Sequence, residues 1–185
     1  MNKKIILLLL LIAIVVGSYS VSYARRNPNL LRTDSAFAAK QLIDSANGNQ
    51  DKLSEASDLL RQVLQENPDN QYAFFLQARA LQQRGLIDEA LVSYQKYLEL
   101  NISSDYVSNY NSAELFEAKG DLINAEKYFQ ACIILAPGVP SGWERMIKLQ
   151  IKLGSTEKTK EYFNALKAAL PNSEIVKKLS PLIPQ

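Results

Sequence analysis

The sequence predicts an all-α fold, an α-solenoid of about four helix-turn-helix repeats. An N-terminal transmembrane or signal helix precedes it and a short C-terminal capping helix closes it. Three observations carry the prediction. Glycines Gly85, Gly120 and Gly154 recur at spacings of 35 and 34 residues. Five positions after each comes a small or modest residue (Ala90, Ala125, Thr159), and nine positions after each comes an aromatic ring (Tyr94, Phe129, Phe163). At the other end of the chain, twelve consecutive apolar residues follow Lys3 and Lys4.

That apolar run, Ile5 to Val16, continues without charge to Ala24, 20 residues in all. Two readings compete over residues 1–26. A basic start, an apolar stretch and the small-x-small site Ser22-Tyr23-Ala24 describe a cleaved signal peptide. Twenty uncharged residues, with Tyr19 and Tyr23 suited to the interface at the far end, describe an uncleaved anchor that crosses the bilayer through residues 5–24. Both place the rest of the chain outside the cytosol, either membrane-anchored in a periplasmic or other extracytoplasmic space, or secreted after cleavage. Lys3 and Lys4 oppose Arg25, Arg26 and Arg32, so charge alone does not orient the segment. Residues 27–34, with Asn27-Pro28-Asn29, read as a linker.

The composition excludes several function classes. The chain has 185 residues, no histidine and a single cysteine, Cys132. A Ser-His-Asp or Cys-His triad, histidine-ligated zinc and an internal disulfide are all ruled out. Past residue 26 there are 17 Lys and Arg against 19 Asp and Glu. A nucleic-acid binder needs a cationic surplus to meet phosphates, and none is present.

The repeats occupy residues 35–171, in units of about 35–68, 69–102, 103–137 and 138–171. In the second unit, Asp69 is expected to cap a helix over residues 70–84 whose apolar positions Tyr72, Phe74, Phe75, Ala78 and Leu81 share a face. Gly85 supplies the left-handed turn that ends it. A second helix runs from Ile87 to Leu100, with Ala90 small because the helices cross there. The fourth unit opens with Ser141-Gly-Trp-Glu144, which reads as a capping box. The first unit is less regular: its first helix, Ser35–Ala46, has few aromatics and its turn, Asn47–Asp51, is long. Residues 172–185 read as a cap. A short helix from Asn172 or Ser173 carries Ile175, Val176 and Leu179, and Pro181 ends it.

These positions resemble the tetratricopeptide repeat, a helix-turn-helix unit of 34 residues. Phe74 and Trp143 match the opening aromatic of its pattern, and Ala78 and Ala113 the small residue that follows. Leu81 and Phe116 stand at the tyrosine-like position. Ala56, Ala90 and Ala125 match the small crossing residue, and Pro68, Pro137 and Pro171 the closing proline. There are departures. Asn109 stands where the third unit would have an aromatic, leaving Tyr106 or Tyr110 to fill the space. Ile102 replaces a closing proline, and Ile147 and Thr159 occupy positions that favour small residues.

The resemblance implies a concave surface lined by the first helix of each unit, which receives a partner peptide or helix. Residue by residue it offers Tyr72, Phe75, Arg79 and Gln82 from the second unit. The third contributes Val107, Tyr110, Glu114 and Glu117, and the fourth Glu144, Lys148 and Lys152. The aromatics are candidate anchors. Arg79 and Glu114 stand where some family members place asparagines to clamp a C-terminal carboxylate, so that role is not expected.

No catalytic, metal or cofactor site is expected. Asp44–Glu55 has the span of a calcium loop, but Ala46 and Gly48 stand where oxygen ligands are needed. Cys132 among Ala131, Ile133 and Ile134 reads as a small core residue. The expected function is a non-catalytic protein-protein interaction scaffold or assembly factor. The alternative is a self-associating structural component of a membrane-bound complex, a homo-oligomer. A carboxylate-based enzyme or accessory domain is a distant third.

Overall fold

The computed structural model describes residues 28–100 and 105–184, with side chains from Ser35 onward. The apolar leader and positions 101–104, including Ile102, lie outside the described residues. Among the described residues no helix is long and apolar enough to cross a membrane. They form only helices and turns, and the chain divides into two compact units at Arg84/Gly85.

The first unit holds α1 (Pro28–Asp44), α2 (Gln50–Glu66) and α3 (Gln71–Gln83), each packed against the other two. α1 begins earlier than the expected Ser35 and takes in residues 28–34, where a linker was expected. Proline's fixed φ and missing N–H suit a first helical turn. Asn47 (φ 46°) and Gly48 (φ 83°) make the left-handed turn, and α2 starts at Gln50. The Asn49 side chain accepts hydrogen bonds from the backbone N–H groups of Asp51 and Lys52, satisfying two donors with no helical partner. Apolar residues at 53, 56, 60 and 63 then fall on one stripe, and all four are buried. Leu53, Leu60 and Leu76 are fully enclosed with Ile43, and each such side chain contributes about 1.5–3 kcal/mol. Asn70, not Asp69, caps α3, its side chain accepting from the Ala73 N–H at 3.0 Å.

The second unit runs α4 (Ile87–Leu100), α5 (Tyr106–Lys119), α6 (Leu122–Leu135), α7 (Pro140–Lys152) and α8 (Thr156–Ala169), then the cap α9 (Glu174–Leu179). Each helix packs on its neighbour in sequence, and α9 lies against α7 and α8. Asp105 caps α5 by accepting from the Val107 and Ser108 N–H groups. Gly120, at φ 81°, ends it, and the Asp121 N–H returns to the Phe116 carbonyl at 2.9 Å, closing a left-handed C-cap. Asp121 then caps α6 through the Asn124 N–H.

The crossing positions Ala56, Ala90, Ala125 and Thr159 are each fully buried. Thr159, the largest of them, donates its hydroxyl to the Ser155 carbonyl at 2.8 Å, so no polar atom is stranded there. Tyr94 and Phe129 are fully enclosed and Phe163 nearly so.

The expected capping box at Ser141–Glu144 does not form. α7 starts at Pro140 after Val139, with no side-chain cap. A proline at the first helical position removes one of the donors a cap would satisfy. Ser141 instead meets Tyr106, and Glu144 pairs with lysines. The cap α9 starts after Ser173, buries Ile175 and Leu179, and passes into a short 3₁₀ turn, Ser180–Leu182, through Pro181.

Candidate functional site

In the first unit, α1 and α3 present side chains at matching register. Arg79 Nη2 donates to Asp44 Oδ1 at 3.1 Å, across 35 residues of sequence. Lys40 pairs with the same carboxylate one turn back on α1. The Lys40 and Arg79 cations hold the Asp44 carboxyl below its ordinary value, against a smaller opposing effect of burial. The Arg79 guanidinium also lies 5.9 Å from the centre of the half-buried Phe75 ring, which packs on the core. Gln82 is half-buried one turn further on. Tyr72 is 46% exposed, and Phe37, 35 residues before it, is 56% exposed. The face therefore carries two open aromatic rings, Tyr72 at the start of α3 and Phe37 midway along α1, and an ion-pair cluster towards the helix ends.

In the second unit, α5 and α7 form a comparable face, with Val107 at its open end 48% exposed. Tyr110 stacks on Tyr106 with ring centres 5.8 Å apart and meets Phe129 edge-on at 5.8 Å. Burial and the neighbouring Glu114 carboxylate push the Tyr110 phenol up to about 12, so it stays protonated and polar. Arg145 Nη2 donates to Glu117 at 2.9 Å, lies 3.5 Å from Glu114, and its guanidinium sits 5.7 Å from the Phe129 ring centre. Lys152 reaches Glu117 at 3.6 Å. Glu144 takes Lys148 at 2.7 Å and Lys178, from the cap, at 2.8 Å. Those two lysines lower the Glu144 carboxyl, Lys148 contributing more.

Among the described residues, recesses open on this unit between α5 and α7 and beside the cap. One of about 250 Å³ lies between α5 and α7, lined by Glu114, Glu117, Ala118, Arg145 and Lys152. A wider cleft of about 650 Å³ lies between the start of α7 and the cap, lined by Pro140, Ser173, Glu174, Ile175, Lys177 and Lys178.

The structure thus gathers Glu114, Glu117 and Lys152 at one recess, with Glu144 and Lys148 paired on the same helix face. In the first unit Phe75 is mainly a packing residue, while Tyr72 is open. Sequence reasoning missed Phe37, Asp44 and Arg145. Phe37 and Asp44 lie one period before Tyr72 and Arg79, inside the expected first helix, but the irregular first unit masks that register in the sequence. Arg145 follows Glu144 directly, so only coordinates show that its long side chain turns to Glu117.

Cys132 is fully buried, its thiol pushed up to about 12 by burial, and its Sγ lies 3.7 Å from the Tyr106 carbonyl. Among the described residues no group of three or more Cys, Asp or Glu is placed to hold a metal ion.

No family model and no curated protein matches the chain. Solved structures do. A tetratricopeptide repeat protein from Parabacteroides merdae ATCC 43184 superimposes with a TM-score of 0.64 at 17% identity, covering 79% of this chain and 59% of its own. MamA gives a TM-score of 0.62 at 16% identity, covering 75% of each chain. YrrB, described as a tetratricopeptide repeat protein with an unusual peptide-binding site, gives 0.58 at 13% identity, covering 74% of this chain and 76% of its own. At these identities the likeness shows the fold: the helices are arranged as in tetratricopeptide repeat proteins.

Proposed function

We propose that the chain is a non-catalytic scaffold or assembly factor whose first-helix faces receive a partner peptide or helix. In this reading residues 5–24 anchor it in a membrane or export it, and the repeats work outside the cytosol. The observation that carries the proposal is the pairing of open apolar residues with fixed charges on those faces. Phe37, Tyr72 and Val107 are exposed on helices that further along carry the ion pairs Asp44–Arg79 and Glu117–Arg145. Exposed rings ringed by ordered polar groups are the usual make-up of a protein-binding hot spot. The fold likeness to YrrB adds support from a protein described as binding peptide.

The perturbed groups also favour binding over catalysis. The Tyr110 phenol and the Cys132 thiol are driven towards their neutral forms, away from nucleophilic duty. The lowered carboxyls Asp44 and Glu144 are held by cations, so neither is poised to take a proton near neutrality.

The test is crosslinking of full-length protein in native membranes, followed by mass spectrometry of what co-purifies. Tyr72→Ala and Tyr110→Ala should keep wild-type helicity and lose a partner that wild type retains. If both variants fold and keep every partner, the first-helix faces are not the binding surface. An intact-mass measurement of the mature chain decides between anchor and cleaved leader.

A further inference from the structure

Charge is distributed unevenly along the second unit. Residues 140–185 carry eight Lys and Arg against four Asp and Glu. On the face formed by α5, α7 and the cap, three carboxylates (Glu114, Glu117, Glu144) are shared among four cations (Arg145, Lys148, Lys152, Lys178). Height matters as much as number. The Lys148, Lys152 and Lys178 side chains are 44%, 55% and 61% exposed, while Glu117 and Glu144 are 19% and 21% exposed. Glu117 and Glu144 lie behind while the three ammonium groups project, and Glu114, 36% exposed, sits level with Arg145, so an approaching partner meets mainly positive potential.

The lysines also adjoin the wide cleft. Lys178 lines it and pairs with Glu144, which in turn holds Lys148. The basic strip along α7 therefore runs directly into a recess whose walls include Pro140 and Ile175.

We propose that this face binds an acidic segment of a partner protein, with one apolar side chain in the cleft beside the cap and flanking aspartates or glutamates along Lys148 and Lys152. This rests on the reading that first-helix faces receive polypeptide, and it names the chemistry of the occupant. An anionic bilayer matches the charge but has no side chain to fill the cleft, so the observations favour a polypeptide. The carboxylates gain Coulomb attraction from four cations that have only three acids to share. Rim charges of this kind govern encounter rate, register and partner choice.

The experiment uses full-length protein in a neutral detergent and three labelled synthetic peptides of equal length. Each has a leucine core, flanked by Asp and Glu, by Ser and Gln, or by Lys and Arg. Fluorescence anisotropy should show the acidic peptide binding roughly tenfold more tightly than the neutral one, with the preference fading as salt rises. Replacing the leucines by serine should abolish binding. The double variant Lys148→Glu, Lys152→Glu should reverse the preference, and Lys148→Ser, Lys152→Ser should remove it if the glutamates disturb folding. Glu144→Gln should strengthen acidic binding by freeing two lysines. Equal binding of acidic and neutral peptides, lost in Tyr110→Ala, overturns the acidic assignment and leaves the binding face standing. Binding to phosphatidylserine vesicles with no peptide binding overturns the polypeptide assignment itself.

Discussion

The Tyr106 hydroxyl and the Ser141 Oγ lie 2.6 Å apart, although 35 residues separate them in sequence. The same period links Asp44 to Arg79 and Glu117 to Lys152, and a period of 34 links Glu144 to Lys178. The repeat is thus a spatial register as well as a sequence pattern: residues one period apart on neighbouring first helices, or on the cap, face each other. At Ser141 this register has a local consequence. Its hydroxyl is drawn away from the start of α7 and serves as a tie between helices.

Tyr106→Phe and Ser141→Ala should each lower stability by about 1 kcal/mol, the usual net worth of one part-buried hydrogen bond. The double variant should cost less than the two singles together. Urea denaturation of the four proteins measures this coupling, and strict additivity would show that the bond contributes nothing.

The register also predicts a steric response. Ala125 is fully buried where α6 crosses, and Trp there should cost about 1–3 kcal/mol or more through overpacking. The thermal midpoint should fall by several degrees. An unchanged midpoint for Ala125→Trp would mean that the crossing lies elsewhere.

Gly120 and Gly138 separate backbone strain from lost space. Nothing lies within 4 Å of a Cβ at either position, but only Gly120 has a left-handed φ, at 81°. Gly120→Ala should therefore cost about 1–2 kcal/mol, and Gly138→Ala should fall within about 0.5 kcal/mol of wild type. Chemical denaturation of the two variants gives the comparison.

Acid should weaken the fold through its paired carboxylates. Asp44 and Glu144 both have lowered pKa values in the folded chain, so the unfolded chain takes up protons first as pH falls. Their stabilising effect is complete above the ordinary carboxylate range and is lost as pH drops through the lowered folded values. Thermal melts across that range should show a shallower acid decline for Asp44→Asn than for wild type. Parallel curves for the two proteins would show that the Lys40–Asp44–Arg79 cluster does not contribute.

Much of this architecture was legible in the sequence because its signals are steric. A left-handed turn selects glycine at Gly85, Gly120 and Gly154, and a tight crossing selects a small residue at Ala56, Ala90 and Ala125. Such constraints fix residue type at a fixed spacing. Helix starts were less legible, since Asn70 and Asp69 are equally good caps on paper, and Ser141 with Glu144 is a sound capping box until Tyr106 is near. The charged face was least legible. Glu114, Glu117 and Lys152 could be assigned to it by position, but Arg145 could not. A long flexible side chain chooses among acids that only the fold brings within reach.

The first helices, and not the second, are assigned to meet the partner. The most direct measurement places a photocrosslinking amino acid at Tyr72, at Val107, or at Ile123 on α6, which is 84% exposed and so equally reachable. In native membranes, Tyr72 and Val107 should capture a common partner and Ile123 should not. Capture from Ile123 alone would contradict this assignment and move the binding surface to the second helices.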